Sequence, residues 1–458
     1  MNDITLLLDA HSGTPLYEQL YRGIAQEILQ GRLTPGTRLP SRRALSRHLK
    51  VSGQTADAAF DLLKAEGFVR AEPRRGLFVE KLTPLPRLPL SKPQTLPPVR
   101  TSALYDFSPQ AADTTLFPYR EWAKLVREGL LLHPDLLKKG DPKGEMSLRQ
   151  ALCDFLYQYR GVHCHAEDLV IGSGVDQLLG IIGAMVKSPA KIAVEDPGYR
   201  EAARALERTG HQALPIPLDA QGLSVEALKK SKASLAYVTP AHQFPTGVYM
   251  PVTRRAELLY WAQAQGGRFV IEDDYDSEFR YISRPLPALQ SMDGSGKTIY
   301  ISTFSRTLAP GIRVAFMALP PVLTREYERL GLKSGDAVSR FEQHAVSELI
   351  AQGHYSRHLR RAKNAYQQRC GGLVSRLLQI PGSLVSGEEA GLHFVFQMSD
   401  HPEETLIRQA AQAGIPLLGL SSYGINVPQS CALVLGFAGL PDNKLDAAVA
   451  ALRTAWMV

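Results

Sequence analysis

The chain has four cysteines in 458 residues, Cys153, Cys164, Cys370 and Cys431, and no two stand in a CxxC pair. That scatter implies neither a zinc site nor a disulfide framework, and it suits a reducing cytoplasm. Long apolar runs are missing as well. None reaches the roughly 20 residues that a membrane span needs, so no membrane partner is expected. The start, Met1-Asn2-Asp3-Ile4-Thr5, has no basic stretch followed by an apolar one, and no secretion leader is read there. No internal repeat is visible.

Acids are absent from residues 83–100, where Pro84, Pro86, Pro89, Pro93, Pro97 and Pro98 stand among Arg87, Lys92 and Arg100. Such proline density favours an extended, semi-rigid linker. A chain of this length exceeds one ordinary domain. The expected division is a head over 1–82, a linker over 83–105 and a body over 106–458, whose last part, from about 337, forms a smaller subdomain. Charge is unequal across that division. Residues 1–105 hold 15 Lys/Arg against 9 Asp/Glu, whereas residues 106–458 hold 37 against 36. A basic small module on a neutral large one points to a polyanion-binding head.

The head reads as helices. Leu16, Leu20, Ile24, Ile28 and Leu29 form one apolar face, closed by Gly31 and the Pro35-Gly36 turn. Ser41 can cap a short helix to Leu49. The turn Lys50-Val51-Ser52-Gly53 leads to a third helix over Gln54–Glu66, with Ala56, Ala59, Phe60 and Leu63 inward. Phe68–Ala71 and Gly76–Val79 alternate like two strands around Arg74 and Arg75. This is the layout of a winged helix-turn-helix. Its third helix suits the major groove, where Ser52, Gln54 and Thr55 reach phosphates or base edges. Ser41, Arg42 and Arg43 open the second helix beside the phosphate backbone, and Arg74 and Arg75 tip the wing. The expected partner is double-stranded operator DNA.

The body alternates strands and helices. Apolar runs include Leu169-Val170-Ile171, Lys191–Val194, Ser234–Val238, Phe269-Val270-Ile271 and Thr298–Ile301, which favours a mostly parallel α/β sheet. Ile171-Gly172-Ser173-Gly174 ends a strand and opens a helix, where backbone N–H groups can cradle a phosphate.

In the head, Pro35-Gly36-Thr37-Arg38-Leu39-Pro40-Ser41-Arg42, Val51-Ser52 and Ala65-Glu66-Gly67-Phe68 resemble the GntR family of bacterial regulators. Two positions depart from it: Gly53 and Asp57 stand where basic residues are frequent. In the body, Asp141-Pro142-Lys143-Gly144, Glu195-Asp196-Pro197-Gly198-Tyr199, Thr239–Gly247, Ile271–Tyr281, Gly353-His354-Tyr355 and Ala390-Gly391-Leu392-His393 resemble fold-type-I aminotransferases in their MocR-like, regulatory form. The resemblance runs in order from about Leu16 to Ala455. It implies an aminotransferase-like large domain with a small C-terminal domain, and a homodimer. It also implies a pyridoxal phosphate site made by Gly174, Tyr199, Asp273, Tyr275, Thr303, Ser305 and Arg313. There Tyr199 stacks on the ring, Asp273 pairs with its nitrogen, Tyr275 reaches its phenolic oxygen and Arg313 binds the phosphate.

The resemblance breaks at Arg306. In Ser302-Thr303-Phe304-Ser305-Arg306 the family carries a lysine at the last place, whose neutral amine forms the Schiff base. A guanidinium stays protonated and cannot do so. Two further departures are expected to face the same pocket. Gly439 stands where the family has a carboxylate-binding arginine, and Val175-Asp176 follows Gly174 where a hydroxyl residue and glutamine are usual. The expected protein is therefore a cytoplasmic DNA-binding regulator with a degenerate sensor domain and no catalytic residue. Pyridoxal phosphate is bound non-covalently or not at all, and the effector is that molecule, an amino acid or another anion. The competing readings are an active aminotransferase and a DNA-binding dimer with a vestigial pocket.

Overall fold

The computed structural model describes residues 6, 8–9, 12–82, 104–282, 286–427 and 430–457. The proline-rich linker thus lies almost wholly outside the described residues. The chain divides into two compact units, one up to Val99 and one from Arg100.

In the first unit, α1 (Leu16–Leu29), α2 (Arg42–Leu49) and α3 (Gly53–Ala65) precede the antiparallel pair β1 (Val69–Glu72) and β2 (Gly76–Val79). The apolar faces read from the sequence meet in one core, with Leu20, Ile24, Ala56, Ala59, Phe60 and Leu63 buried. A third extended segment adds to the wing. Thr37–Leu39 bonds to β2 through Leu39 N to Leu77 O and Val79 N to Thr37 O, both 2.9 Å. Pro40 and Pro35, which flank it, hide that pattern in the sequence.

The second unit holds helices α4 (Tyr119–Leu132) and α5 (Met146–Arg160), then an eight-stranded sheet. Its strands are β3 (Leu169–Gly172), β4 (Lys191–Asp196), β5 (Gln212–Asp219), β6 (Gly222–Leu223), β7 (Leu235–Val238), β8 (Phe269–Asp274), β9 (Thr298–Thr303) and β10 (Ala315–Ala318). The order is β3-β10-β9-β8-β7-β4-β5-β6. From β5 to β9 the neighbours run parallel, while β10 is antiparallel to both β9 and β3. The central strands are buried throughout, as a parallel sheet covered on both faces requires. The strand β5 contains Pro215 and Pro217, which cannot donate to a ladder; it is tolerated because only the two-residue β6 lies beyond it.

The helix α6 (Val175–Met185) follows β3 directly. Later a long helix, His354–Leu377, leads to an antiparallel sheet of β11 (Ser383–Ser386), β12 (His393–Met398), β13 (Leu418–Gly419) and β14 (Ala432–Gly436). Arg369 in that helix is buried and holds three elements at once. It pairs with Asp113 and Asp442, each at 2.8 Å, and donates to Ala438 O at 2.7 Å. No helix among the described residues is long and apolar enough to cross a membrane.

Candidate functional site

Strand alternation builds the pocket of the second unit. Glu272, Asp273 and Asp274 are consecutive and all buried, yet a strand sends successive side chains to opposite faces. Glu272 accepts Leu289 N and Gln290 N at 2.7 and 2.8 Å. Asp274 meets Arg160 Nε at 2.7 Å and the Tyr300 hydroxyl at 2.6 Å. Asp273 is left to the other face. There one carboxylate oxygen accepts the Tyr237 hydroxyl, and the other, Oδ1, is buried without a hydrogen-bond partner.

Around Asp273 lies a cavity of about 190 Å³ lined by Gly174, Tyr199, Tyr275, Thr303, Ser305, Arg306 and Arg313. Every residue proposed from sequence for a cofactor thus borders one space. Gln110, Tyr237, Thr239 and Phe244 line it too, and sequence reasoning assigns them no role there. Gln110 comes from a segment far away in the chain, so no local pattern marks it. Tyr237 sits in an apolar strand and reads as core.

One end of the cavity is a cradle at the start of α6. Gly174 has φ of 112°, and a Cβ there would come within 2.4 Å of an Arg313 nitrogen, so the close approach requires glycine. Arg313 donates to Ser173 O at 3.0 Å. Thr303 caps the short helix that carries Ser305 and Arg306, accepting Ser305 N at 3.1 Å. Asp176 also lines this end and helps push the Tyr199 hydroxyl up to about 12, after burial, the larger cause. At the other end Tyr275 donates to His242 O at 2.9 Å.

The Arg306 guanidinium reaches into this space. It donates to Pro109 O at 2.6 Å and lies 5.9 Å from the Tyr275 ring centre. It forms no ion pair with Asp273 among the described residues, and its charge only tempers the Asp273 carboxyl. Burial, acting against the Tyr237 hydrogen bond, raises that carboxyl to about 7. Gly439, expected to face the pocket, does not line it. A Cβ there would meet Ala111 Cβ at 2.9 Å and the Asp106 carboxylate at 3.0 Å, because residues 106–111 pack over this position.

The raised Asp273 carboxyl gives a pH-dependent expectation. Its folded pKa lies above the unfolded value of about 3.9. Its burial penalty is therefore absent below about pH 4, grows as pH rises from there to about 7, and is constant above that, where both states are ionised. In Asp273→Asn that loss disappears. The stability of the variant relative to the parent should rise by a few kcal/mol between pH 5 and pH 8, read from denaturation midpoints. A pH-independent difference would show that Asp273 is ionised throughout.

In the first unit the residues proposed for DNA lie along α2, α3 and the wing. Ser41 and Ser52 oxygens cap their helices, accepting Ala44 N at 3.2 Å and Thr55 N at 3.0 Å. Gln54 is exposed beside them. A groove between α2 and α3 is lined by Arg42, Arg43, Arg47, Gly53 and Asp57. Asp57 pairs with Arg42 at 2.8 Å. Arg75 pairs with Glu72 and lies 5.4 Å from the Phe78 ring centre. Arg43, Arg47 and Arg74 form no ion pair among the described residues, and Arg74 takes the left-handed φ of 61° at the wing tip. Sequence reasoning misses Arg47, although it follows Arg43 by one helical turn.

Comparison with known proteins agrees with this division. Residues 16–79 match the family of bacterial regulatory proteins, gntR family, and residues 109–452 match aminotransferase class I and II. The chain is 36% identical to the uncharacterized HTH-type transcriptional regulator YhdI of Bacillus subtilis, covering 99% of this chain and 98% of that one. It is 30% identical to the probable rhizopine catabolism regulatory protein MocR of Rhizobium meliloti, over 99% and 96% of the two chains. Among solved structures, the Pyrococcus horikoshii kynurenine aminotransferase superposes with a TM-score of 0.70 at 26% identity, over 78% of this chain and 91% of that one. With a gntR-type head preceding a body of the fold-type-I aminotransferase fold, the chain belongs to the MocR-like subfamily of GntR transcriptional regulators.

Proposed function

We propose that this protein is a cytoplasmic, homodimeric DNA-binding regulator whose body senses a small molecule and catalyses no transamination. The observation that carries this reading is Arg306 in the pocket, with its guanidinium bound to Pro109 O and facing Asp273 from beside Tyr275. Transamination begins from a neutral amine at this place, and a guanidinium supplies none.

Pyridoxal phosphate, which supplies aldehyde and electron-sink chemistry in enzymes of this fold, fits the remaining residues. The unpartnered Asp273 Oδ1 suits a ring N–H, Tyr199 and Phe244 border the ring space, and the cradle of Gly174, Thr303, Ser305 and Arg313 suits a phosphate. Asp176 opposes that charge and lowers the affinity expected. The same unpartnered oxygen favours a working pocket over a vestigial one, since a buried lone acceptor is costly unless a ligand satisfies it. The exposed Leu131, Leu132 and Leu137 of the body suit a contact between protomers. Titrating the full-length protein with pyridoxal phosphate by calorimetry, with and without operator DNA, tests the reading. Binding that changes operator affinity supports a sensor of pyridoxal phosphate, whereas heat without coupling, or no heat, refutes that molecule as the effector.

A further inference from the structure

All four cysteines are free, but two of them lie together. Cys153 Sγ and Cys164 Sγ are 3.7 Å apart, although 11 positions separate them in sequence. Cys153 sits on the buried face of α5, at 8% exposure. Cys164 follows α5 in the segment that turns back along it, and it is partly exposed. Gly161 ends α5 in the left-handed conformation with φ of 65°, which reverses the chain and brings Cys164 over Cys153. His163 fixes the turn from outside, with its N donating to Gln290 Oε1 at 3.0 Å and its carbonyl accepting Gln290 Nε2 at 2.7 Å.

A disulfide requires the sulfurs at about 2.05 Å. The 3.7 Å separation is that of two sulfurs in contact, so the gap left to close is under about 2 Å. The other two thiols offer a contrast. Cys370 Sγ and Cys431 Sγ each donate to a backbone carbonyl, Glu388 O and Ser399 O, both at 3.6 Å, and neither bonds to a second sulfur. The hydrogen bond between the two thiols couples their titrations, easing ionisation of Cys153 while raising the pKa of Cys164, with burial opposing ionisation at both.

We propose that Cys153 and Cys164 are a redox-active pair that closes into a reversible intramolecular disulfide when the protein meets a peroxide. In the first step a thiolate attacks one peroxide oxygen, the O–O bond breaks, and the product is a sulfenic acid and, after protonation, water. In the second step the neighbouring sulfur attacks the sulfenic sulfur, the S–S bond forms and the hydroxyl leaves as a second water. Two thiols and one hydrogen peroxide thus give one disulfide and two waters. Cytosolic disulfides of this kind are typically transient and sensing, not structural.

The test uses the reduced full-length protein, hydrogen peroxide, alkylation of the remaining thiols, and peptide mapping by mass spectrometry without reductant. The expected product is a Cys153–Cys164 cross-link within one chain that dithiothreitol reverses, while Cys370 and Cys431 remain alkylated. Cys431→Ser should leave the cross-link intact. In Cys164→Ser the cross-link should vanish and a sulfenic acid at Cys153 should become trappable by dimedone. The proposal is overturned if both thiols stay alkylatable while Cys431 is oxidised, or if the sulfurs link only between chains.

Discussion

Replacing Arg43, Arg47 and Arg74 together by alanine is expected to weaken operator binding on the order of 10²-fold at physiological salt, read by fluorescence anisotropy. Each is an arginine on the proposed DNA face without an acidic partner among the described residues. Removing each phosphate-binding cation should also lower the slope of log affinity against log salt by about 1. Arg42 is different, because Asp57 neutralises it at 2.8 Å. Asp57→Ala should therefore tighten binding several-fold at low salt, the opposite direction from the triple variant. Exposed pairs contribute little to folding, so neither change should alter thermal stability much. An unchanged salt slope in the triple variant would move the DNA-binding surface elsewhere on the head.

The second large effect is expected from Arg306→Lys. The parent should show no borohydride-reducible link to pyridoxal phosphate, and the variant should acquire one. A lysine amine in a pocket that also contains Arg313 is pushed toward its neutral form by burial and by the neighbouring cation. The variant gives up the 2.6 Å bond to Pro109 O. Its absence loosens residues 109–110 at the pocket edge without touching Asp273 or the cradle. A variant that binds pyridoxal phosphate yet forms no link would show that position 306 is not where an amine must stand. Peptide mapping of the reduced product should place the adduct on the introduced residue.

Much of this was legible in the sequence, for local reasons. Helix periodicity and the Ser41 cap define the head, since both depend on residues a turn apart, whereas Ser52, read as a turn residue and DNA contact, also caps α3. Asp273 is marked by the family resemblance, and the alternation of β8 gives the physical reason it faces the pocket while Glu272 and Asp274 do not. What escaped depends on distant parts of the chain. Nothing in the sequence near Gly439 tells that residues 106–111 cover it, so its expected place in the pocket failed. Gln110 and Tyr237 enter the site only through the tertiary fold. Scattered cysteines gave no pairing, because only the turn at Gly161 brings Cys164 back to Cys153. Pro215 and Pro217 hid β5, since a strand tolerates them only at a sheet margin.

In the function proposed above, Arg306 leaves this pocket able to hold pyridoxal phosphate but unable to bond to it. The decisive experiment incubates the full-length protein with pyridoxal phosphate, reduces it with borohydride and maps every lysine by mass spectrometry. Measurable binding before reduction, and no adduct on any pocket residue after it, is the expected result. A stoichiometric adduct on one specific lysine, abolished when Asp273 is changed to alanine, would overturn the proposal.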